Sequence, residues 1–360
     1  MLMIRVLCLY LFILLLQVEW SVIASQAPTA IPTGLIENSD WYTVTVTTSS
    51  DMYLSTVWYS SLNAIMVGVS SSDNNGYVHR TADGGATWIR TVFFRVLLFD
   101  VTQTEYQGAT YFFTSADRGR VYRIAESSLT AGTCDSTTPV SSSCWTLIAS
   151  FGSAYYLNGI TVGPNGAGVV VGVNGDGTAH SQVALTIANA ITVTSSATAV
   201  WSDNLPTSLS TVCGGTACPQ FNGASTVDGV NIIIVGSGGS VYYSTDSGTS
   251  WTAGTSGTTA DIYCIAHGNV SVAMALGASN YVSKTIDNGV SYETLSVFPS
   301  GTSTSLPAFT FDIPHPIHMV SEGIAYAASY DGYLFKTNDG GYSWSEDLNI
   351  VPSNLYTLGM

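Results

Sequence analysis

The sequence predicts an all-β protein, a β-propeller of six or seven four-stranded blades. Three observations carry that expectation. One short spelling occurs four times, its copies are spaced about one blade apart, and the composition is one of short apolar strands joined by polar turns. Only 9% of residues are charged, 46% are hydrophobic, and Ser, Thr and Gly are abundant; such a chain does not carry the signature of disorder. The four copies are Thr81-Ala-Asp83-Gly-Gly85-Ala-Thr87-Trp88, Ser244-Thr-Asp246-Ser-Gly248-Thr-Ser250-Trp251, Thr285-Ile-Asp287-Asn-Gly289-Val-Ser291-Tyr292 and Thr337-Asn-Asp339-Gly-Gly341-Tyr-Ser343-Trp344.

The residue types suit a turn between the third and fourth strands of a blade. The carboxylates of Asp83, Asp246, Asp287 and Asp339 accept backbone N–H groups across it, as in an Asx turn. Gly85, Gly248, Gly289 and Gly341 supply a positive φ. Trp88, Trp251, Tyr292 and Trp344 pack their rings between neighbouring sheets. All twelve are therefore assigned structural roles. Asp246 to Asp287 and Asp287 to Asp339 are each about 40–50 residues, the size of a blade. Asp83 to Asp246 is roughly four times the shorter spacing, so about three degenerate copies are expected between them. Residues 110–149 form one candidate, its turn enlarged by an insertion, and 166–201 another. Inner strands are expected at 54–58, 96–100, 156–162, 207–212, 261–266, 308–313 and 355–360. The last has no strands after it, and 41–46 looks like an outgoing strand with no blade before it. The termini are therefore expected to share a closing blade, or to leave six blades with irregular ends.

The N-terminus predicts export. Arg5 precedes an apolar run over 6–16 that Gln17 and Glu19 end, too short for the roughly 20 apolar residues a bilayer needs. Small residues then allow cleavage after Ala24 or Ser25, so 1–25 is assigned as a signal peptide, with a signal anchor as the alternative. A linker over 26–40 and one propeller domain over 41–360 follow. Of six cysteines, Cys8 leaves with the leader. Cys134 with Cys144, and Cys213 with Cys218, are close-spaced couples that suit local disulfides in an oxidising compartment. Cys264 lies in a strand-like run, and Asn269-Val270-Ser271 is a glycosylation sequon. A net charge of −15 argues against nucleic acid and anionic membranes as partners. The expected protein is an extracellular monomer without an integral membrane segment, with plastid import by the secretory route as a lesser alternative.

The repeated turn is identified as the Asp-box, or BNR repeat. It resembles the turns of sialidases, two-propeller xyloglucanases, the sortilin ectodomain and photosystem II assembly-factor-like proteins. The spellings G-Y-V-H-R-T-A-D-G-G-A-T-W from Gly76 and G-Y-L-F-K-T-N-D-G-G-Y-S-W from Gly332 look most like the last group. Sortilin and the paired xyloglucanases need a longer chain. Sialidases hold a carboxylate with three arginines from well-separated blades, whereas every arginine after the leader lies within residues 80–123. Resemblance to the assembly factors implies an arginine patch for a partner protein, which nominates Arg80, Arg118, Arg120 and Arg123. The competing reading is solvated strand-edge residues that balance local carboxylates.

Other constellations are weak. Asp312, His315 and His318 are set among prolines without a further histidine nearby, and the 172–177 segment lacks the bidentate Glu of a calcium loop. No phosphate cradle or nucleophile elbow occurs, so no catalytic residue, metal or cofactor is assigned. Two functions stay open. The first is a non-catalytic module that binds a protein or glycan on its loop face, and it is favoured. The alternative is an extracellular glycoside hydrolase, which needs two carboxylates about 5–10 Å apart at the ring mouth.

Overall fold

The computed structural model describes residues 21–24, 37–38, 41–45, 51–70, 73–130, 144–175, 182–206, 219–278, 281–295, 317–328 and 333–349. A three-stranded sheet comes first: β1 (Ser21–Ala24) and β2 (Glu37–Asn38) flank β3 (Trp41–Thr45). Six four-stranded antiparallel sheets follow, each contiguous in sequence, and they are the blades. Blade 1 holds β4 (Asp51–Trp58), β5 (Ala64–Ser70), β6 (Gly76–Thr81) and β7 (Ile89–Phe93). Blade 2 holds β8 (Leu98–Tyr106), β9 (Ala109–Ala116), β10 (Arg120–Ala125) and β11 (Thr146–Ser150), with a short helix α1 (Glu126–Thr130) after β10. Blade 3 holds β12 (Tyr155–Val162), β13 (Gly168–Asn174), β14 (Gln182–Ile187) and β15 (Ser202–Asp203). Blade 4 holds β16 (Phe221–Thr226), β17 (Ile232–Gly236), β18 (Val241–Ser244) and β19 (Thr252–Ala253). Blade 5 holds β20 (Ile262–His267), β21 (Ala273–Gly277), β22 (Tyr281–Thr285) and β23 (Glu293–Thr294). Blade 6 holds β24 (Ile317–Met319), β25 (Ala325–Ala328), β26 (Tyr333–Thr337) and β27 (Ser345–Asn349). No helix among the described residues is long and apolar enough to cross a membrane.

The second strand of each blade explains why the sheets stack. A strand covered on both faces reads as an unbroken apolar run, and β5, β17, β21 and β25 are buried at every position. Successive side chains serve opposite neighbours. Val169 and Val171 meet Ile232, Ile234 and Trp251 between blades 3 and 4, while Val170 joins Phe113 and Val121 between blades 2 and 3. Ile233 and Val235 meet Ala273 and Ala275 between blades 4 and 5. Met274 and Leu276 pack with Ala325, Ala327 and Trp344 of blade 6, and the same cluster takes in Met52, Leu54 and Val69 of blade 1. Apolar packing thus closes the ring.

Along the inner strands the stitching is polar. Five of them bulge at one equivalent position, between Tyr53 and Ser55, Leu98 and Asp100, Leu157 and Gly159, Phe221 and Gly223, and Ile262 and Cys264. Fully buried Asp100 accepts from the Ser55 hydroxyl at 2.8 Å and from the Ile160 N–H at 2.8 Å, which ties blades 1, 2 and 3 together. The Asn158 amide donates to the Phe221 carbonyl at 3.0 Å, and the Asn222 amide donates to that of Ile262 at 2.7 Å.

The repeated turns have one hydrogen-bond pattern. Thr81, Ser244, Thr285 and Thr337 each donate their hydroxyl to the Asp Oδ1 at 2.7–2.8 Å and accept the N–H of the motif glycine at 2.8–2.9 Å. Oδ1 of Asp83, Asp246, Asp287 and Asp339 also takes the N–H of the residue four beyond each aspartate at 2.8–2.9 Å, and Oδ2 takes the hydroxyl of that residue at 2.5–2.6 Å. Burial pulls Asp83 and Asp287 upward, but these bonds outweigh it and leave both carboxyls below their ordinary value. The Ser343 hydroxyl and N–H bring Asp339 down to about 2. The glycine has positive φ in all four turns, and so does the residue before it: Gly84 at 72°, Ser247 at 60°, Asn288 at 55° and Gly340 at 73°. That preceding N–H donates at 2.8–3.0 Å to the hairpin joining the first two strands of its own blade, at Leu62, Val230, Ser271 and Gly323. Both turns therefore lie on one face of the ring.

Several expectations need correction. Of the six or seven blades expected, the described residues form six, and β27 completes the last one from its own sequence. Trp41–Thr45 pairs with β1 and β2 instead of closing a composite blade. Two blades, not three, lie between Asp83 and Asp246, because long connections after β10 and β14 stretch the spacing. The inner strands expected at 207–212, 308–313 and 355–360 fall outside the described residues. The inner strands of blades 4 and 6 are Phe221–Thr226 and Ile317–Met319.

Removing one turn carboxylate frees three donors, so Asp287→Ala should lose about 1–2 kcal/mol of stability in chemical denaturation, as loss of a capping side chain does, and Asp287→Asn less. At Gly341, φ is 94° and an added Cβ would lie 2.4 Å from Met274 Cε and 2.6 Å from Leu295 Cδ1. Gly341→Ala should therefore cost more than about 1 kcal/mol in the same experiment.

Candidate functional site

The inner strands of blades 1 to 4 end around a cavity of about 300 Å³ on the face that carries the Asp turns. Tyr59 follows β4, Gln103, Thr104 and Glu105 end β8, Pro164 follows β12, and Thr226 ends β16. Tyr59 is held against Phe112, ring centroids 4.8 Å apart, and its N–H donates to the Asn63 carbonyl at 3.1 Å. Burial, with Glu126 adding to it and Arg80 opposing it, pushes the Tyr59 phenol up to about 12. It is a neutral hydrogen-bonding group at physiological pH. Thr104 is buried and Thr110 partly so, and Val162 and Val227 add apolar wall. Glu105 is the carboxylate among the described lining residues. An amide, hydroxyls, a phenol and short apolar surfaces in one mouth suit a neutral, hydrogen-bonding ligand such as an extended peptide or a sugar. None of these lining residues stands out in the sequence, because the mouth is assembled from strand ends far apart in the chain.

The nominated arginines fall in three places. Arg118 and Arg120 flank the turn between β9 and β10, on the face opposite the Asp turns. Arg118 is exposed, has a φ of 56°, and brings Nε to 3.5 Å from an oxygen of buried Asp117. The other Asp117 oxygen accepts the Leu97 N–H at 3.0 Å. Burial raises the Asp117 carboxyl, and the Leu97 bond, Arg118 and Arg120 pull against it. Arg123 lies on the other side of β10, where Nη1 donates to the Ala190 carbonyl of blade 3 at 3.4 Å, and burial lowers its pKa. Arg80 is near the end of β6, within electrostatic reach of Tyr59. The structure brings Arg118 and Arg120 together and sets Arg80 and Arg123 apart from them.

The other nominated residues are also placed. Asn269 shapes the first hairpin of blade 5: its Oδ1 accepts the N–H groups of Ser271 and Val272 at 2.8 Å, and its Nδ2 donates to Glu322. The amide nitrogen that would carry a glycan is thus engaged. Cys264 is a free, buried thiol raised by desolvation, and Cys144 is not free. Cys134, Cys213 and Cys218, with Asp312 and His315, lie outside the described residues. A degenerate turn escaped notice in the sequence: in Ile187-Ala-Asn189-Ala190, Asn189 Oδ1 accepts the Ile191 and Thr192 N–H groups at 3.0 and 3.1 Å. The Ala190 N–H closes on Gly166 at 2.8 Å, just as in the four full turns.

No family model and no curated protein matches the sequence. Among solved structures, the chain is similar to YCF48 bound to D1 peptide, at 14% identity and a TM-score of 0.54, covering 93% of this chain and 91% of that one. It is similar to YCF48 from Cyanidioschyzon merolae at 15% identity and a TM-score of 0.53, covering 87% and 90%. U3-55K matches at 10% identity and a TM-score of 0.50, covering 87% and 88%. At these identities the likeness shows the propeller fold.

At the seam of blades 4 and 5, His267 is buried and donates its backbone N–H to the Ser225 hydroxyl at 3.2 Å. Burial lowers its pKa from 6.5 to about 4, against weaker upward pulls from Asn288 and the Asp228 carboxylate. The unfolded chain gains this proton below 6.5 while the folded ring resists it until about 4. The His267 contribution is therefore whole above pH 6.5 and is lost as pH falls through that window. Melting temperature followed across the window should decline in the native chain, and that part of the slope should vanish in His267→Gln.

Proposed function

We propose that this chain is an exported, non-catalytic propeller that holds a segment of a partner protein. The observation that carries the proposal is the likeness, over nine-tenths of the chain, to a YCF48 propeller bound to D1 peptide. The mouth formed by Tyr59, Gln103, Thr104 and Thr110 supports it, because its neutral donors and acceptors match the repeating polar groups of an extended backbone. Arg118 and Arg120 provide a second contact on the opposite face, suited to a carboxylate of the partner. Export rests on the leader-like residues 1–25. Local disulfides between Cys134 and Cys144 and between Cys213 and Cys218 belong to the same proposal, as does a monomeric ring. A glycoside hydrolase would need a second carboxylate opposite Glu105.

The test is binding of the purified protein to peptide and glycan arrays, with released reducing sugar assayed in parallel. Peptide binding without sugar release is the expected outcome. Gln103→Trp, which narrows the mouth at an exposed position, should weaken the best peptide at least about tenfold with an unchanged melting temperature. Release of sugar, or binding to glycans alone, would remove the protein-binding reading.

A further inference from the structure

Large apolar side chains exposed singly are ordinary on a protein surface. Among the described residues most of them, though not Leu62, Ile89, Phe94 or Val200, gather on one part of one face. Ile286 and Tyr342 in the Asp turns of blades 5 and 6 are 72% and 55% exposed, and Val320 in the first hairpin of blade 6 is 51% exposed. Val230 and Val270, in the first hairpins of blades 4 and 5, and Val290, in the turn of blade 5, are exposed as well. The backbone bonds from Ser247 to Val230, Asn288 to Ser271 and Gly340 to Gly323 hold these hairpins against the turns, so the six side chains crown neighbouring blades on one side. Seam bonds fix the blades relative to one another. The Thr255 N–H donates to the Val290 carbonyl at 2.9 Å, and the Asn288 amide donates to Asn231 Oδ1 at 3.1 Å.

Charge on the same face is one-sided. Asp228, Asp246, Asp287, Glu293, Glu322 and Asp339 stand among the apolar tips. Hydrogen bonds from Ser250 and Ser343 hold Asp246 and Asp339 below the ordinary carboxylate range, so they stay ionised. Beyond Arg123 the chain has no Lys or Arg except Lys284 and Lys336. Lys284 is already engaged, with Nζ 3.3 Å from the Glu322 carbonyl oxygen and 5.7 Å from the Tyr342 ring centre. Lys336 lies 5.2 Å from the Tyr326 ring. The blades that carry the exposed aliphatics thus carry a fixed excess of negative charge.

We infer that the Asp-turn face of blades 4 to 6 docks a protein segment that combines Lys or Arg with aliphatic side chains. The aliphatics bury Ile286, Val290 and Val320, and the cations meet Asp228, Asp287, Glu322 and Asp339. An acidic segment is repelled, and an anionic lipid surface is repelled for the same reason. The inference rests on the protein-binding reading above and adds to it the face and the partner chemistry.

The experiment measures fluorescence anisotropy of two synthetic peptides of equal length, one of Lys, Leu and Val, the other with Glu for every Lys. The native protein should bind the first and not the second, and binding should weaken as salt rises. Ile286→Ser with Val320→Ser, both at exposed positions, should weaken it about tenfold with an unchanged melting temperature. Equal binding of both peptides, or unchanged affinity in the double variant, overturns the inference. So does concentration-dependent self-association that the double variant abolishes, which would give the face to a second copy. Binding to phosphatidylcholine vesicles lost in that variant would give it to lipid and likewise overturn it. If the double variant has no effect while Gln103→Trp still impairs the array peptides, only this inference falls. If neither peptide nor array binds, the protein-binding reading falls with it.

Discussion

The turn carboxylate fixes more of this structure than any other single group. A reversal between the third and fourth strands leaves several N–H groups without sheet partners, and a buried or half-buried donor without one is costly. Asp83, Asp246, Asp287 and Asp339 each gather such donors. With the turn held in this form, the residue after the aspartate is driven to positive φ and its N–H points back at the first hairpin. One side chain thereby locks the outer half of a blade to its inner half. It also sets the height at which Trp251 or Trp344 enters the neighbouring interface. Stacking flat sheets around an axis needs that rigidity, because each blade is both the floor of one interface and the roof of the next.

Among the described residues, blades 2 and 3 show no such aspartate turn, and the turn of blade 3 shows which parts of it matter. Blade 3 keeps the backbone bond from Ala190 to Gly166 and replaces the carboxylate by the Asn189 amide oxygen, which can accept but carries no charge. Both blades keep an aromatic at the exit. Trp145 is buried with Phe93 and Phe112, and Trp201 donates its indole N–H to the Ile148 carbonyl at 3.1 Å. Asp100 of blade 2 links these two blades through Ile160 and joins them to blade 1 through Ser55. A buried carboxylate with fixed donors on either side holds inner strands in register whatever happens at the rim.

How much of this the sequence discloses follows from the range of each interaction. The turn motif is local: every donor to Asp287 lies within four residues of it, so four copies of the spelling reveal four blades. The second strands are legible too, because burial on both faces leaves the unmixed runs at 64–70 and 232–236. Blade number is not legible at the ends, since a strand such as Trp41–Thr45 looks the same whether it closes a blade or pairs elsewhere. The Ser247 and Asn288 φ values are hidden because the motif leaves their position free. The mouth is hidden more deeply. Tyr59, Glu105, Pro164 and Thr226 have no spacing in common, and only the ring brings them together. Clustering of arginines in sequence was a poor guide as well, because alternation along β10 sends Arg120 and Arg123 to opposite sides of one strand.

The distribution of charge gives the ring a direction. Apart from Arg5, arginines are confined to blades 1 and 2 and the link between them, whereas blades 4 to 6 combine carboxylates with exposed aliphatic side chains. A chain evolving only to be soluble has little reason to segregate them, since interspersed signs keep a surface soluble at less cost in self-repulsion. Segregation is useful when two unlike surfaces must be held at a fixed distance and angle. A rigid ring does that well: its seams are tied by backbone bonds such as Thr255 to Val290, and its core changes neighbour with every residue along each second strand. On that argument a rigid frame and uneven rims are parts of one design, in which the apolar interfaces fix the geometry that the charged edges present.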